Sequence, residues 1–385
     1  MNWPLVKLGD VCTLLNGRAY KKDELLQDGK YPVLRVGNFF SNREWYYSDL
    51  ELPEKNYCER GDLLYAWSAS FGPRIWDGCK VIYHYHIWKV EIDESKVDKN
   101  YLCHVLEKDV EDIKREQGTG STMIHVTKTA MENREIPLPP LAEQKRIAVI
   151  LDKADALRRK RQQAIDLADQ FLRSVFLEMF GDPVTNPMGW PTKPLSQMAS
   201  VITGYPFKSS DYIEESKGTV RLCRGANVLP GALDWKDTRF WSRDRLDGLD
   251  DYLLEQGDII LAMDRPWISS GLKVCHAEVS DIPTYLVQRV ARIRAGTQSM
   301  QDLIYASIDS VAFERHCCPT ETTIPHISPV ELKAFPIFDV PADLLERFSR
   351  VVRTSLRKTK SFAFAEDQSE VLFSSISQQA FRGDL

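Results

Sequence analysis

The sequence repeats itself. Trp3, Pro4, Leu8, Gly17 and Lys21 recur with the same spacing as Trp190, Pro191, Leu195, Gly204 and Lys208. Apolar residues pair between them: Val11 with Met198, Leu14 with Val201, Leu15 with Ile202, and Tyr20 with Phe207. Further along, the offset grows as insertions accumulate, and ERGDLLYAW (Glu59 to Trp67) falls on EQGDIILAM (Glu255 to Met263). His125-Val126-Thr127 then meets His326-Ile327-Ser328, Pro140 meets Pro341, Arg146 meets Arg347, Phe180 meets Phe381, and Gly181-Asp182 meets Gly383-Asp384. Matches that keep one order from end to end describe two copies of one unit, and such a repeat constrains the fold before any local propensity does.

Each copy is predicted to have the same internal plan. Its first part mixes short apolar and alternating runs with glycine and proline. The Gly-Asp pairs make turns that feed buried strands, and KVIYHYHIWKV (Lys80 to Val90) reads as a further strand. The remainder is helical. Leu141 to Phe180 contains neither glycine nor proline, and Pro139-Pro140 marks its start. Ile147, Ile150, Ala154, Leu157, Arg161, Ala164, Ala168, Phe171 and Val175 follow alternating steps of three and four, apolar at every place but Arg161, which is the pattern of a coiled-coil seam. In the second copy Phe348, Val351, Phe362, Ala365, Leu372 and Ile376 take the equivalent seam.

A helix of about 40 residues spans roughly 60 Å, and one apolar stripe of that length needs a partner, which the other copy supplies. The chain runs down the first helix, folds a second globular part and returns, so the two helices are expected to lie antiparallel. FGDPVTNPMGWP (Phe180 to Pro191) is then a joint: Gly181 suits a helix C-terminus, and Pro183 and Pro187 stop the helix. The expected architecture is α+β. Two globular α/β-mixed domains occupy 1–140 and 190–341, a central helix 141–181, a bridge 182–189 and a C-terminal helix 342–385, with the helices forming an antiparallel coiled coil under a pseudo-twofold internal repeat.

The chain of 385 residues is too long for one ordinary core. Apolar residues at 43% and charged residues at 27% fit a soluble globular protein rather than a disordered or membrane one. No run approaches the ~18 consecutive apolar residues of a membrane helix, and MNWPLVKLGDV lacks the basic and apolar regions of a secretory leader. Eight cysteines without CxxC spacing read as reduced thiols, so a cytoplasmic setting is expected. The net charge of −5 argues mildly against a dedicated nucleic-acid binder. A basic groove on an acidic chain remains compatible with that sum.

IPLPPLAEQKRI (Ile136 to Ile147), the long helix ending FLRSVFLEMFGDP (Phe171 to Pro183), the bridge TNPMGWP and the closing QQAFRGDL (Gln378 to Leu385) resemble the specificity subunits of type I restriction-modification systems. The resemblance spans the whole chain and implies two target-recognition domains with a central and a C-terminal conserved helix. It implies no catalysis by the chain itself and no cofactor bound to it. Each domain would read one half of a bipartite double-stranded DNA site, and the low identity between the halves implies an asymmetric target. The helices would set the spacer, roughly 18 base pairs for a rod of about 60 Å. They would also dock two methyltransferase (modification) subunits that use S-adenosylmethionine, with ATP- and Mg-dependent restriction subunits completing the full complex. Where the first copy has IPLPPLAEQKRI the second has FPIFDVPADLLERF, without the Glu-Gln pair, which puts equal docking on both copies in question.

Arg and Asn read guanine and adenine edges, while Lys mostly holds phosphate. On that chemistry the candidates for DNA contact are Lys21, Lys22, Arg35 and Asn38 in the first copy and Lys208, Ser209, Arg224 and Asn227 in the second. Trp67, Arg74, Arg265 and Trp267, which follow the Gly-Asp strands, join them because loops after rigid strands carry binding. GTGST (Gly118 to Thr122) supplies Gly120, Ser121 and Thr122 as a phosphate-binding loop, matched by Thr322 and Thr323, and an ordinary loop is the competing reading. RRKR (Arg158 to Arg161) is either a solvated helix face or a holder of phosphates or a partner.

An enzyme would need a site of its own, and the sequence offers none. There is no Asn/Asp-Pro-Pro-aromatic motif, no Gly-rich cofactor loop after a strand, and no P-loop. His84 and His86 alternate on the predicted strand and lack a third metal ligand nearby, and the adjacent His316, Cys317 and Cys318 read as structural. A protein-interaction scaffold without sequence-specific DNA binding is the alternative from another class.

Overall fold

The Gly-Asp segments make the same turn twice. Gly61 and Gly257 sit at φ 95° and 87°, a left-handed conformation that glycine adopts without penalty. Asp62 and Asp258 each accept the backbone N–H of the glutamate three residues before, at 2.8 Å from Glu59 and 2.7 Å from Glu255. The turns feed Leu63–Ala66 and Ile259–Ala262, strands buried at every residue. The structure, a computed structural model, describes residues 3–41, 43–68, 70–116, 126–318 and 325–382, without the side chains of 111, 358–374 and 378. The chain forms two units of mixed helix and strand, one of Met1–Gln162 with Phe364–Leu385 and one of Gln163–Ala363.

In the first unit, Cys12–Asn16, Ile87–Ile92, Leu63–Ala66 and Gly72–Ile75 lie side by side, antiparallel throughout. A second four-stranded sheet runs Tyr46–Ser48, Tyr31–Leu34, Val81–Tyr83, Tyr57–Cys58, with Tyr31–Leu34 and Val81–Tyr83 parallel. The stretch Lys80 to Val90 is therefore not one strand. Val81–Tyr83 belongs to one sheet and Ile87–Ile92 to the other, and His84, Tyr85 and His86 make the turn between them, closed by Ile87 N–H donating to the His84 carbonyl at 2.9 Å. Alternation of side chains cannot reveal such a change of sheet, because both segments are extended and both are buried.

In the second unit, Ala199–Thr203, Val290–Ala295, Ile259–Ala262 and Val274–His276 form the antiparallel sheet. Arg239–Ser242, Thr219–Cys223 and Thr284–Leu286 form the other, with Thr219–Cys223 and Thr284–Leu286 parallel. Gly17 and Gly204 mark where the chain passes from the first sheet under the crossing turn. A Cβ would lie 2.4 Å from the His84 carbonyl oxygen at Gly17 and 2.3 Å from that of Val287 at Gly204, so only glycine fits at either place.

The central helix spans Leu141–Phe180 and the C-terminal helix Ala342–Arg382. Each contributes to both units, since the division falls at Gln162/Gln163 and at Ala363/Phe364. The buried side of the central helix follows steps of four then three from Ile147: Leu151, Ala154, Arg158, Arg161, Ile165, Ala168, Leu172 and Val175 are all buried or half-buried. The expected seam shares Ile147, Ala154, Arg161, Ala168 and Val175 with it. It errs at Leu157 and Phe171, which are 47% and 52% exposed; Ile150 and Ala164 are half-buried. Leu157 and Phe171 point outward while their neighbours Arg158 and Leu172 are half-buried, and the Arg158 guanidinium bonds Asp155 at 2.8 Å. Phe348 is buried and Val351 and Ile376 are half-buried; the side chains of Phe362, Ala365 and Leu372 lie outside the described residues.

The repeated tryptophan closes a helix in each unit. Trp190 donates its indole N–H to the Phe180 carbonyl at 3.1 Å, and Trp3 donates to that of Ala380 at 2.8 Å. Both satisfy carbonyls that a helix leaves unpaired at its end. Beyond Phe180 the chain turns through Gly181 at φ 80°, where a Cβ would meet Pro187 at 2.9 Å. Gln144 of the Glu-Gln pair is wholly buried. It accepts from Asp98 N–H and donates to the Lys96 and Pro139 carbonyls at 2.8 to 2.9 Å, so it fastens the helix start to the first unit. None of the described helices is long and apolar enough to cross a membrane.

Candidate nucleic-acid interface

Three stretches meet at the crossing turn of the first unit. The backbone after Gly17 runs beside it, with Arg18 bridged to His84 and Tyr85 N–H bonded to the Arg18 carbonyl at 3.1 Å. The end of the buried central strand supplies Trp67, whose backbone N–H reaches the His86 carbonyl at 3.1 Å and whose indole reaches that of Tyr85 at 2.8 Å. The parallel strand supplies Arg35, one residue beyond Leu34, whose carbonyl accepts from His84 N–H at 2.9 Å. The result is an aromatic cluster. Tyr85 packs against two imidazoles, with ring centroids 4.4 Å and 3.9 Å away, and Trp67 stacks on Trp88 at 5.7 Å. Burial first, then His86 and Arg35, push His84 down to about 4, so it is neutral at pH 7.

The second unit builds the same turn from other residues. Tyr205, after Gly204, is bridged to Val287, and Met263 N–H reaches the Arg289 carbonyl at 2.9 Å. Val287 N–H bonds the Cys223 carbonyl at 2.9 Å, which brings Arg224 alongside. Here the exposed groups are charged. Arg289 Nη1 donates to both Asp264 oxygens at 2.9 and 3.0 Å, and His326 Nδ1 lies 2.7 Å from Asp264 Oδ1. Burial opposes ionisation of Asp264, but Arg289 and His326 outweigh it and hold the carboxyl below its usual range. Arg265 and Arg289 have φ 44° and 74°, left-handed values that side-chain-bearing residues adopt rarely.

The structure thus brings Arg35 and Trp67 to one turn and Arg224 and Arg265 to its counterpart, while Lys21 and Lys22 follow four and five residues after Gly17, and Lys208 and Ser209 four and five after Gly204. Lys21, Lys22, Lys208, Ser209 and Arg265 are exposed. Arg35 and Arg224 begin matching Arg-x-x-Asn turns and bond the carbonyls of Glu44 and Asp237 at 3.2 and 2.6 Å. Asn38 donates to the carbonyls of Arg43 and Glu44. Asn227 needs correction as a base reader: it is 1% exposed, its amide donates to the Asp234 and Asp237 carbonyls, and its oxygen accepts from Arg224 N–H. Nothing of it remains to offer an adenine. Arg74, on the sheet edge, bonds the Phe39 carbonyl at 2.8 Å, and Trp267 packs near Phe313. Gly120, Ser121, Thr122, Thr322 and Thr323 lie outside the described residues.

Tyr85, Asp264, Gln288, Arg289 and His326 are additions that sequence reasoning missed. Extending the repeat alignment through His84-Tyr85-His86 onto Val287-Gln288-Arg289 would have found the turn, though not the left-handed backbone of Arg289. Among the described residues no three His, Cys, Asp or Glu side chains are arranged to hold a metal; His316 bonds the Glu331 carbonyl at 3.0 Å.

Residues 1–167 match the family described as the type I restriction modification DNA specificity domain. The chain is 29% identical over 305 residues to the type I restriction enzyme MjaVIII specificity subunit of Methanocaldococcus jannaschii, covering 76% of this chain and 70% of that one. It is 31% identical over 159 residues to the EcoAI specificity subunit of Escherichia coli, covering 40% of this chain and 26% of that longer relative. The solved S subunit of a type I restriction-modification system from M. genitalium has the same fold, with a TM-score of 0.62 at 15% identity over 99% of this chain and 96% of the other.

Proposed function

We propose that the chain is a specificity subunit of a type I restriction-modification system and gives such a complex its DNA sequence, each unit reading one half of an asymmetric bipartite site. One observation carries the reading. In both units the same backbone turn, pinned under a glycine and at the end of a buried strand, presents exposed side chains, and those side chains differ between the units. Rigid support with variable contacts is what two different half-sites require.

Each long helix begins in one unit and ends in the other, which supports an antiparallel coiled coil acting as the spacer. The half-buried stripe through Arg158, Arg161, Ile165 and Ala168 supports it too. The matching strand orders support a pseudo-twofold internal repeat. Val149, Leu167, Phe171 and Leu177, between 49% and 55% exposed on the central helix, are apolar surface of the kind that partners cover; modification subunits are proposed to dock there. In this reading the chain is not a catalyst. S-adenosylmethionine belongs to the modification subunits, and ATP and Mg to restriction subunits where these are present. Gln144, being consumed inside the first unit, is no part of the docking surface.

The test is co-purification with a methyltransferase partner followed by gel shift on randomised duplexes. DNA binding that stays equal on all sequences would sink the reading and favour a scaffold. Exchanging Gly204 to Pro329 for the same region of a relative is expected to change one half-site and leave the other intact.

A further inference from the structure

We propose that Arg289 reads a guanine in the half-site of the second unit, with Asp264 and His326 as its positioning residues. The inference rests on the DNA reading above and adds the base and the side chain that recognises it. Arg289 is 61% exposed in spite of its ion pair. The pair uses one nitrogen, Nη1, for both carboxylate oxygens. Among the described residues Nη2 and Nε have no partner, so a donor edge of the guanidinium faces outward while the other side is fixed. That edge matches the O6 and N7 acceptors that guanine presents in the major groove.

The support is built from separate parts of the chain. Asp264 ends the segment that continues the buried strand Ile259–Ala262 and is bridged by backbone to His326, whose Nδ1 also holds the carboxylate. Arg289 itself stands at φ 74°. An ion pair on a surface contributes little to stability, so stability alone gives no reason to hold an arginine in a strained backbone. A reader needs its side chain fixed beforehand, since ordering a free arginine on binding costs affinity. In the first unit the same turn holds His84, Tyr85 and His86, with no arginine among them, and the cation beside it, Arg18, gives both terminal nitrogens to Glu24 at 3.0 and 2.7 Å, so this arginine reader is confined to the second unit.

The experiment is selection from randomised duplexes by the full chain in complex with its methyltransferase partner. The half-site of the second unit is the one that moves on exchanging Gly204 to Pro329, and it is expected to contain a G·C pair. Arg289→Gly suits the left-handed backbone and is expected to lose discrimination at that pair by roughly 5- to 150-fold, with every other position unchanged. Arg289→Lys keeps the charge without the fork and is expected to lose it similarly; Asp264→Asn is expected to lose part of it. Uniform weakening on all sequences, with the salt slope reduced by about 1, would make Arg289 a phosphate contact and overturn the proposal. An unchanged base profile would overturn it as well. A wild-type complex that selects no sequence refutes the specificity-subunit reading itself, a different failure.

Discussion

At the crossing turn the first unit carries His84, Tyr85 and His86, and the second carries Val287, Gln288 and Arg289. The backbone bonds that build the turn correspond one for one: Ile87 N–H to His84 and Val290 N–H to Val287, Trp67 N–H to His86 and Met263 N–H to Arg289. The side chains have nothing in common. One turn is aromatic, with His84 neutral at pH 7, and the other carries an arginine clamped by a carboxylate. The residues that build the turn and the side chains exposed on it therefore occupy different positions. Gly17, Gly204 and the Gly-Asp turns specify the frame, and the exposed side chains differ between the units without touching it.

The largest effect should come from breaking the shared frame. Gly17→Ala and Gly204→Ala drive a Cβ into backbone atoms 2.4 and 2.3 Å away, and each is expected to destabilise its own unit by about 3 kcal/mol. Calorimetry on the two variants checks this, and a change under about 0.5 kcal/mol would break the equivalence of the two crossings. The next effect separates the units by pH. Folded His84 titrates at about 4 against 6.5 in the unfolded chain, so between those values the unfolded state takes up a proton that the folded state refuses. The first unit is expected to lose on the order of 1–3 kcal/mol as pH falls from 6.5 toward 4. His84→Asn should remove that slope, and the second unit, with Val287 at the position, should lack it. His104 acts in the opposite sense: burial works against its proton, but Glu107 and Asp152 raise its pKa, so its contribution is full below about 6.5 and fades as pH rises through the folded value. The difference between wild type and the His84 variant isolates the His84 slope. The smallest effect belongs to the indole caps. Trp3→Phe and Trp190→Phe each remove one hydrogen bond to a helix-end carbonyl and should cost about 1 kcal/mol apiece, seen in denaturant midpoints; a loss at only one of them would show that the two helix ends are not equivalent.

Much of the frame was legible because it depends on residues with few uses. Glycine at a close approach, Gly-Asp at a turn and tryptophan at a helix end recur in sequence because no other residue replaces them there. The central helix was legible from the absence of glycine and proline over its length. Its buried face was less so: Leu157 and Phe171 are apolar yet exposed, and Arg158 sits on the half-buried side. Amphipathic arginine makes such errors natural, since its stem packs while its head finds Asp155. The site was legible only as neighbourhoods. Arg35 and Arg224 were rightly paired, but residue type could not show that they bond carbonyls, or that Asn227 is buried. Arg289 was overlooked because its value lies in a backbone angle and in a carboxylate 25 residues away.

The first unit is assembled from both ends of the chain. Ala380 and Phe381 lie in its core, with Phe381 5.8 Å from Tyr101 and the Ala380 carbonyl held by Trp3. On the ribosome these residues appear only after the whole of Gln163–Ala363. Although most of its residues are made first, this unit is therefore finished second, and until then it exposes an apolar surface that Phe381 will cover. Nascent chains halted before residue 364 should hold the second unit more nearly complete than the first, reversing the usual order of vectorial folding.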